Sequence, residues 1–185
     1  MAVSRHYWTN LAWYHPVMHD WAGFVLARGH DPVVELVCTY GRWLRSKPSR
    51  TRHERSLDPF LLDLLAATAS RVDWVALASG YETKYEVAHG RHEDRELTAL
   101  AVKHRSALQD TALLIFSANM PHGHGWSPDT VYKTAMKNFP FAMSVHFSLI
   151  GLAGDPSTAS SFAGALVSTA LDWIDWGVLL ERKKR

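Results

Sequence analysis

The stretch Asp58-Pro59-Phe60-Leu61-Leu62-Asp63-Leu64-Leu65-Ala66-Ala67-Thr68-Ala69-Ser70-Arg71-Val72-Asp73-Trp74-Val75 decides the fold class. An Asp side chain caps free amides at a helix start and proline fits the first helical position, so Asp58-Pro59 reads as a helix N-terminus. Behind it Leu61, Leu64, Leu65, Thr68, Val72 and Val75 recur at helical spacing. That spacing predicts one long helix ending near Gly80.

The same punctuation returns at Asp31-Pro32, Ser127-Pro128 and Asp155-Pro156, and more weakly at His15-Pro16. Val17, Trp21, Phe24 and Val25 mark the face of a helix that stops at Gly29. Val33, Leu36, Val37, Tyr40 and Leu44 mark the next, and Leu97, Leu100, Ala101, His104, Leu108, Ala112 and Ile115 sustain the pattern for about five turns. Two further helices are expected after Ser127-Pro128 and after Pro140. The last is expected to run from Pro156 to near Leu180, with Phe162, Leu166, Ala170, Trp173 and Ile174 inward. Only Tyr81 to Val87 alternates like a strand, and a lone strand has no partner, so a connecting loop is the better reading. The expectation is an all-α, single-domain bundle of about six to eight helices over residues 1–185.

At 185 residues, 47% hydrophobic and 21% charged, the chain is long enough to bury one substantial core and is not disordered in composition. Its one cysteine, Cys38, excludes an intramolecular disulfide and a Cys-based zinc cluster. Lying among Val34 and Val37, it reads as a buried thiol, which suits a reducing cytoplasm. The N-terminus lacks the charged start and apolar core of a signal peptide. The weakly polar run Phe139 to Gly154 is interrupted by Pro140, Ser144, His146 and Ser148, too short for the ~20 apolar residues of a membrane span. A soluble cytoplasmic protein without membrane contact is expected.

Charge is concentrated in one place. Between Arg42 and Arg55 stand six Lys/Arg and one acid, a local +5 in a chain whose net charge is +2. Pro48, Ser46, Ser49 and Thr51 favour an exposed basic loop at about 45–57. Six like charges in one loop repel unless an anion neutralises them. Arg42, Arg45, Lys47, Arg50, Arg52 and Arg55 are therefore the candidate contacts to the phosphates of a nucleic acid, with Trp43 beside them as a stacking surface. Lys133 and Lys137, one helical turn apart, are candidates to extend the patch, although a solvated helix face explains them equally. From Asn138 to Glu181 there is no Lys or Arg, so that stretch is expected in the bundle interior or against another subunit. The closing Arg182-Lys183-Lys184-Arg185 complements a helix C-terminus.

Eleven histidines raise a metal hypothesis. His15 and His19 are four apart, His122-Gly123-His124 lies in a Gly-rich loop, and His89, His92 and Glu93 form a third group. None alone supplies three or four ligands, so no metal or cofactor is expected. His104, on an apolar stripe, reads as a hydrogen-bonded core residue. His19-Asp20 resembles the doublet of the HD-type metal phosphohydrolases, which implies an alternative hydrolase using His15, His19, Asp20, His122 and His124. Those enzymes have an earlier histidine well upstream, whereas only His6 and His15 precede the doublet here, close by. No Gly-x-Ser-x-Gly elbow, Walker loop or Gly-x-Gly-x-x-Gly is present, and Glu93-Asp94-Arg95-Glu96 is explained as a helix start. No catalytic set is expected. Of the eight tryptophans, most fall on apolar faces, and either Trp8 or Trp13 is a candidate interface anchor.

In size, helical content and cationic loop the chain resembles the helical small subunits of CRISPR ribonucleoprotein effector complexes. The resemblance implies a non-catalytic subunit, active in antiviral defence, that contacts RNA or single-stranded DNA through its backbone. It also implies packing against other protein subunits, including copies of itself. The rival to it, besides a hydrolase, is an interaction module whose basic loop meets an acidic partner protein.

Overall fold

The computed structural model describes residues 5–15, 17–48, 50–80, 93–118, 125, 127–139 and 158–180. These are all-α, with no strand among them. In chain order the helices are α1 (Arg5–Trp13), α2 (Met18–Ala27), α3 (Pro32–Arg45), α4 (Arg52–Ser56) and α5 (Asp58–Ala69). They continue with α6 (Trp74–Ala78), α7 (Arg95–Lys103), α8 (Arg105–Ala118), α9 (Pro128–Lys137), α10 (Ala159–Leu171) and a 3-10 turn, η1 (Trp176–Leu179). The described residues thus hold ten α-helices, more than the expected six to eight.

The excess has two sources: two periodic patterns are each cut into two helices, and α1 and α4 form where no helix was expected. The Leu97-to-Ile115 stripe is interrupted at His104, whose backbone leaves the α region (φ −99°, ψ 17°). Its four buried members, Leu97, Ala101, Leu108 and Ala112, keep their inward places on α7 and α8. The stretch from Asp58 is likewise cut between Ala69 and Trp74, so Trp74 and Leu77 turn inward and Val75 outward, 69% exposed. The expected face of α2 is also rotated: Met18, Ala22 and Val25 are buried, while Phe24 is exposed beneath the Arg28 guanidinium, 4.4 Å from its centroid. The expected loop at Tyr81–Val87, the helix after Pro140 and the Asp155-Pro156 start lie outside the described residues.

Three of the punctuation readings can be followed to their hydrogen bonds. Asp31 caps α3 by accepting from Val33 N at 2.8 Å, and Ser127 caps α9 by accepting from Thr130 N at 3.2 Å. Asp58 does not cap: the N-cap of α5 is Leu57, and the Asp58 carboxylate is taken by Arg50 instead. At the end of α2, Gly29 adopts φ +70°, with Gly29 N bonded to Leu26 O and His30 N to Val25 O. That pair of bonds is a Schellman ending, whose left-handed position glycine takes without a Cβ penalty.

The core forms where α3, α5 and α10 pack on one another. Leu36, Tyr40 and Leu44 from α3, Phe60, Leu61, Leu64 and Leu65 from α5, and Phe162, Leu166 and Ala170 from α10 are all at most 1% exposed. Within the cation-free region, Phe139, the inward face of α10, Trp173, Ile174 and Leu179 are buried, while Asn138, Thr158, Asp172, Gly177 and Leu180 are exposed. Thr68 is buried among these residues without cost because its hydroxyl donates back to Leu64 O at 2.9 Å. On the periphery Arg71 donates to both oxygens of Asp94, at 2.7 and 3.1 Å, and to Glu96 at 2.6 Å. Asp94 also caps α7, accepting from Glu96 N and Leu97 N. No described helix is long and apolar enough to cross a membrane.

Candidate nucleic-acid interface

The basic segment is not one loop. Thr51-x-x-Glu54 forms a capping box: Thr51 Oγ1 accepts from Glu54 N at 3.3 Å and Glu54 Oε2 accepts from Thr51 N at 2.5 Å. This nucleates α4 in the middle of the expected loop. Only Ser46, Lys47, Pro48, Arg50 and Thr51 connect α3 to α4 among the described residues.

Arg50, expected on the surface as a phosphate contact, is buried at 8% exposure. Its guanidinium donates to Leu44 O at 3.3 Å, Glu54 O at 2.7 Å and Asp58 Oδ1 at 2.5 Å. The two carbonyls sit near the C-terminal ends of α3 and α4, where the last helical carbonyls lack partners within the helix. One side chain thus ties together two helix ends and the first turn of α5. Only a planar fork with several fixed donors does this, which is why arginine rather than lysine fits. Burial pushes the neighbouring Tyr40 hydroxyl far above the ordinary tyrosine range; Arg50 acts against that shift and Asp58 adds to it.

Around this buried centre the other cations point outward. Arg42 and Arg45 lie three apart on the exposed side of α3, and Arg52 and Arg55 three apart on the exposed side of α4. Lys47, half-buried, holds its ammonium over the Trp43 ring, 4.6 Å from the centroid. Trp43 is itself half-buried and stacks on Tyr40, with centroids 5.4 Å apart and planes 14° from parallel. None of Arg42, Arg45, Lys47, Arg52 and Arg55 forms an ion pair with a described carboxylate. The two acids of the neighbourhood are already used, Glu54 in the capping box and Asp58 on Arg50. The α3 dipole accounts for cations in its last turn, but Arg52 opens α4, where positive charge is disfavoured.

Lys133 is paired with Asp129 across one turn of α9 at 2.7 Å, and both are largely exposed. Lys137 is exposed at the end of the same helix. Since α4 and α9 both pack on α8, the two lysines share a supporting helix with the basic segment.

The histidines are placed differently from the hydrolase alternative. The His15 ring packs on Phe162, and its Nδ1 is buried without a hydrogen-bond partner among the described residues. Burial lowers its pKa below the ordinary histidine value. His19 meets the Trp13 ring edge-on at 4.0 Å, and Asp20 is exposed. Among the described residues no three His, Cys, Asp or Glu side chains gather as a metal site; His122 and His124 lie outside them. His104 is hydrogen-bonded as expected, its Nε2 2.8 Å from Asp63 Oδ2, and its ring packs on Phe60. Asp63 also accepts from Lys103 at 2.6 Å. Burial alone raises the Asp63 pKa, but these two partners outweigh it and hold the carboxyl below its usual range.

Cys38 overturns the buried-thiol reading: it is exposed. Leu36, Tyr40 and Leu44 define the inward line of α3, which leaves Val34, Cys38, Arg42 and Arg45 on the outward side. Trp8 is fully buried, and Trp13 is half-buried against the core. A groove of about 500 Å³ between α7 and η1 is lined by Glu93, Arg95, Thr98, Val102, Asp175 and Val178. Its mixed charge does not suit a phosphate track. Compared with protein-family models, curated proteins and solved structures, the chain matches none.

Proposed function

We propose that the chain is a non-catalytic, helical subunit of a ribonucleoprotein assembly that holds the backbone of RNA or single-stranded DNA against the outward side of α3 and α4. The observation that carries this reading is the set of cations left without a carboxylate among the described residues, Arg42, Arg45, Lys47, Arg52 and Arg55, beside a buried arginine that ties α3, α4 and α5 together. A solvated face built for solubility intersperses both signs of charge, whereas here the local acids are consumed internally. Unpaired cations on a rigid support bind phosphate, release counterions and read no base. The resemblance to CRISPR small subunits supports the same role, a protein that touches strand backbones and packs on neighbouring subunits.

The test is a salt series of binding to a labelled RNA. If all five cations meet phosphates, the slope of log K against log salt is about −3.5, at roughly 0.7 per single-strand contact. The variant Arg42→Gln/Arg45→Gln/Arg52→Gln/Arg55→Gln should flatten that slope by about 2.8 and weaken every sequence alike. Unchanged affinity in this variant would refute the proposal. An acidic polypeptide bound as tightly as RNA would assign the face to a protein partner instead.

A further inference from the structure

We infer that Trp43 is a stacking platform for an unpaired base, covered in the free protein by Lys47, so that the ligand of this face is single-stranded nucleic acid rather than duplex. The inference rests on the backbone-binding reading above and extends it from charge to strand state. Three features of the Trp43 ring support it. Tyr40, three residues earlier and 1% exposed, stacks nearly parallel on the ring and fixes its plane. Lys47, four residues later, holds its ammonium over the ring, 4.6 Å from the centroid. The ring lies between Arg42 and Arg45 in sequence, at the edge of the unpaired cations.

A pre-oriented aromatic ring loses little freedom when a base stacks on it. The ammonium now over the ring must move for a base to take its place, and it is a flexible cation with no carboxylate partner among the described residues. Arrival of a base therefore exchanges two contacts at once: the base takes the ring, and Lys47 turns to the adjoining phosphate. Bases in a duplex are already stacked on one another and offer no free face, so only an unpaired strand completes the exchange. Every base has a π-face, so the platform selects strand state and not sequence.

The experiment measures binding of the full chain to three labelled ligands: a uridine dodecamer, the same backbone without bases, and a 12-base-pair RNA duplex. The wild type should prefer the uridine strand to the abasic one. Trp43→Leu should weaken the uridine strand about five- to 150-fold and leave the abasic strand and the duplex unchanged. Trp43→Phe keeps a ring at the position and should retain most of the preference, and Lys47→Met should retain the preference while lowering the salt slope by about 0.7. If Trp43→Leu does not fold, photocrosslinking of 5-iodouridine strands to the wild type supplies the readout, with Trp43 as the expected adduct. Adducts only elsewhere, or equal loss on all three ligands in the leucine variant, overturn the inference. Salt-dependent binding of the abasic strand with no preference for uridine would also overturn it while leaving the backbone-binding proposal standing. Absence of binding to all three would overturn both.

Discussion

Arg50 separates a structural from a binding role more sharply than any other residue in the basic segment. In Arg50→Met the side chain keeps its bulk but loses the donors to Leu44 O, Glu54 O and Asp58. Hydrogen bonds involving a charged group contribute about 1.5–3 kcal/mol each. The Asp58 side chain remains 21% exposed and keeps part of its hydration, which discounts the total to about 3 kcal/mol. For a chain of this length that corresponds to a melting temperature lower by roughly 6–12 °C. Urea unfolding followed by circular dichroism measures it directly. Replacing both partners, as Arg50→Met/Asp58→Leu, should recover at least half the loss, because the lone carboxylate is no longer left behind. At a temperature where the single variant is folded, its salt slope for RNA should match the wild type. A loss below about 1 kcal/mol together with a flatter salt slope would show that Arg50 reaches phosphate, and the buried-tie reasoning would fail.

Two further outcomes test other parts of the fold. Asp94→Asn keeps the cap of α7 but loses the charge facing Arg71, and should lower stability by about 2–4 kcal/mol at pH 7. Burial raises the Asp94 pKa, but the Arg71 hydrogen bonds and the Leu97 and Glu96 amides outweigh it and hold the carboxyl below its usual value of 3.8. The unfolded carboxyl therefore takes up its proton first as pH falls, so the wild-type advantage is full above that pH and fades below it. A gap between the two proteins that stays constant to pH 3 would contradict this. Cys38 should react with a thiol reagent in the native protein at close to the rate of a free peptide thiol, and protection until unfolding would mean that α3 is rotated from the orientation described.

Much of the helical content was legible in sequence because capping chemistry is local. Asp31, Ser127, Gly29 and Gly80 mark their helix ends through bonds that span at most five residues. What was not legible depended on partners distant in space. Periodicity alone does not show that a helix is cut at His104, because the cut coincides with a contact to Asp63, 41 residues earlier. It does not show which of two adjacent apolar residues turns inward, so Val75 and Cys38 were placed on the wrong side. In the basic segment, composition revealed the charge, but it could not show that one of six cations is internal. The Thr51-x-x-Glu54 spacing was the available signal for α4, and it implies a helix start directly after Arg50. The pairing of Arg50 with Asp58 follows only once α4 turns the chain back onto α5.

The helix at the centre of the bundle carries a consequence for how binding is measured. From Ala159 to Leu171, α10 reads Ala-Ser-Ser-Phe-Ala-Gly-Ala-Leu-Val-Ser-Thr-Ala-Leu and contains no ionisable side chain. Its contacts with α1, α2, α3 and α5 are consequently indifferent to ionic strength, and the Arg50–Asp58 and Arg71–Asp94 pairs are shielded enough to be screened weakly. Added salt therefore works as a clean titrant on this protein. It competes for the outer cations while leaving the apolar scaffold that presents them intact, so under the proposed function a fall in affinity between dilute and concentrated buffer would count phosphates and not unfolded molecules.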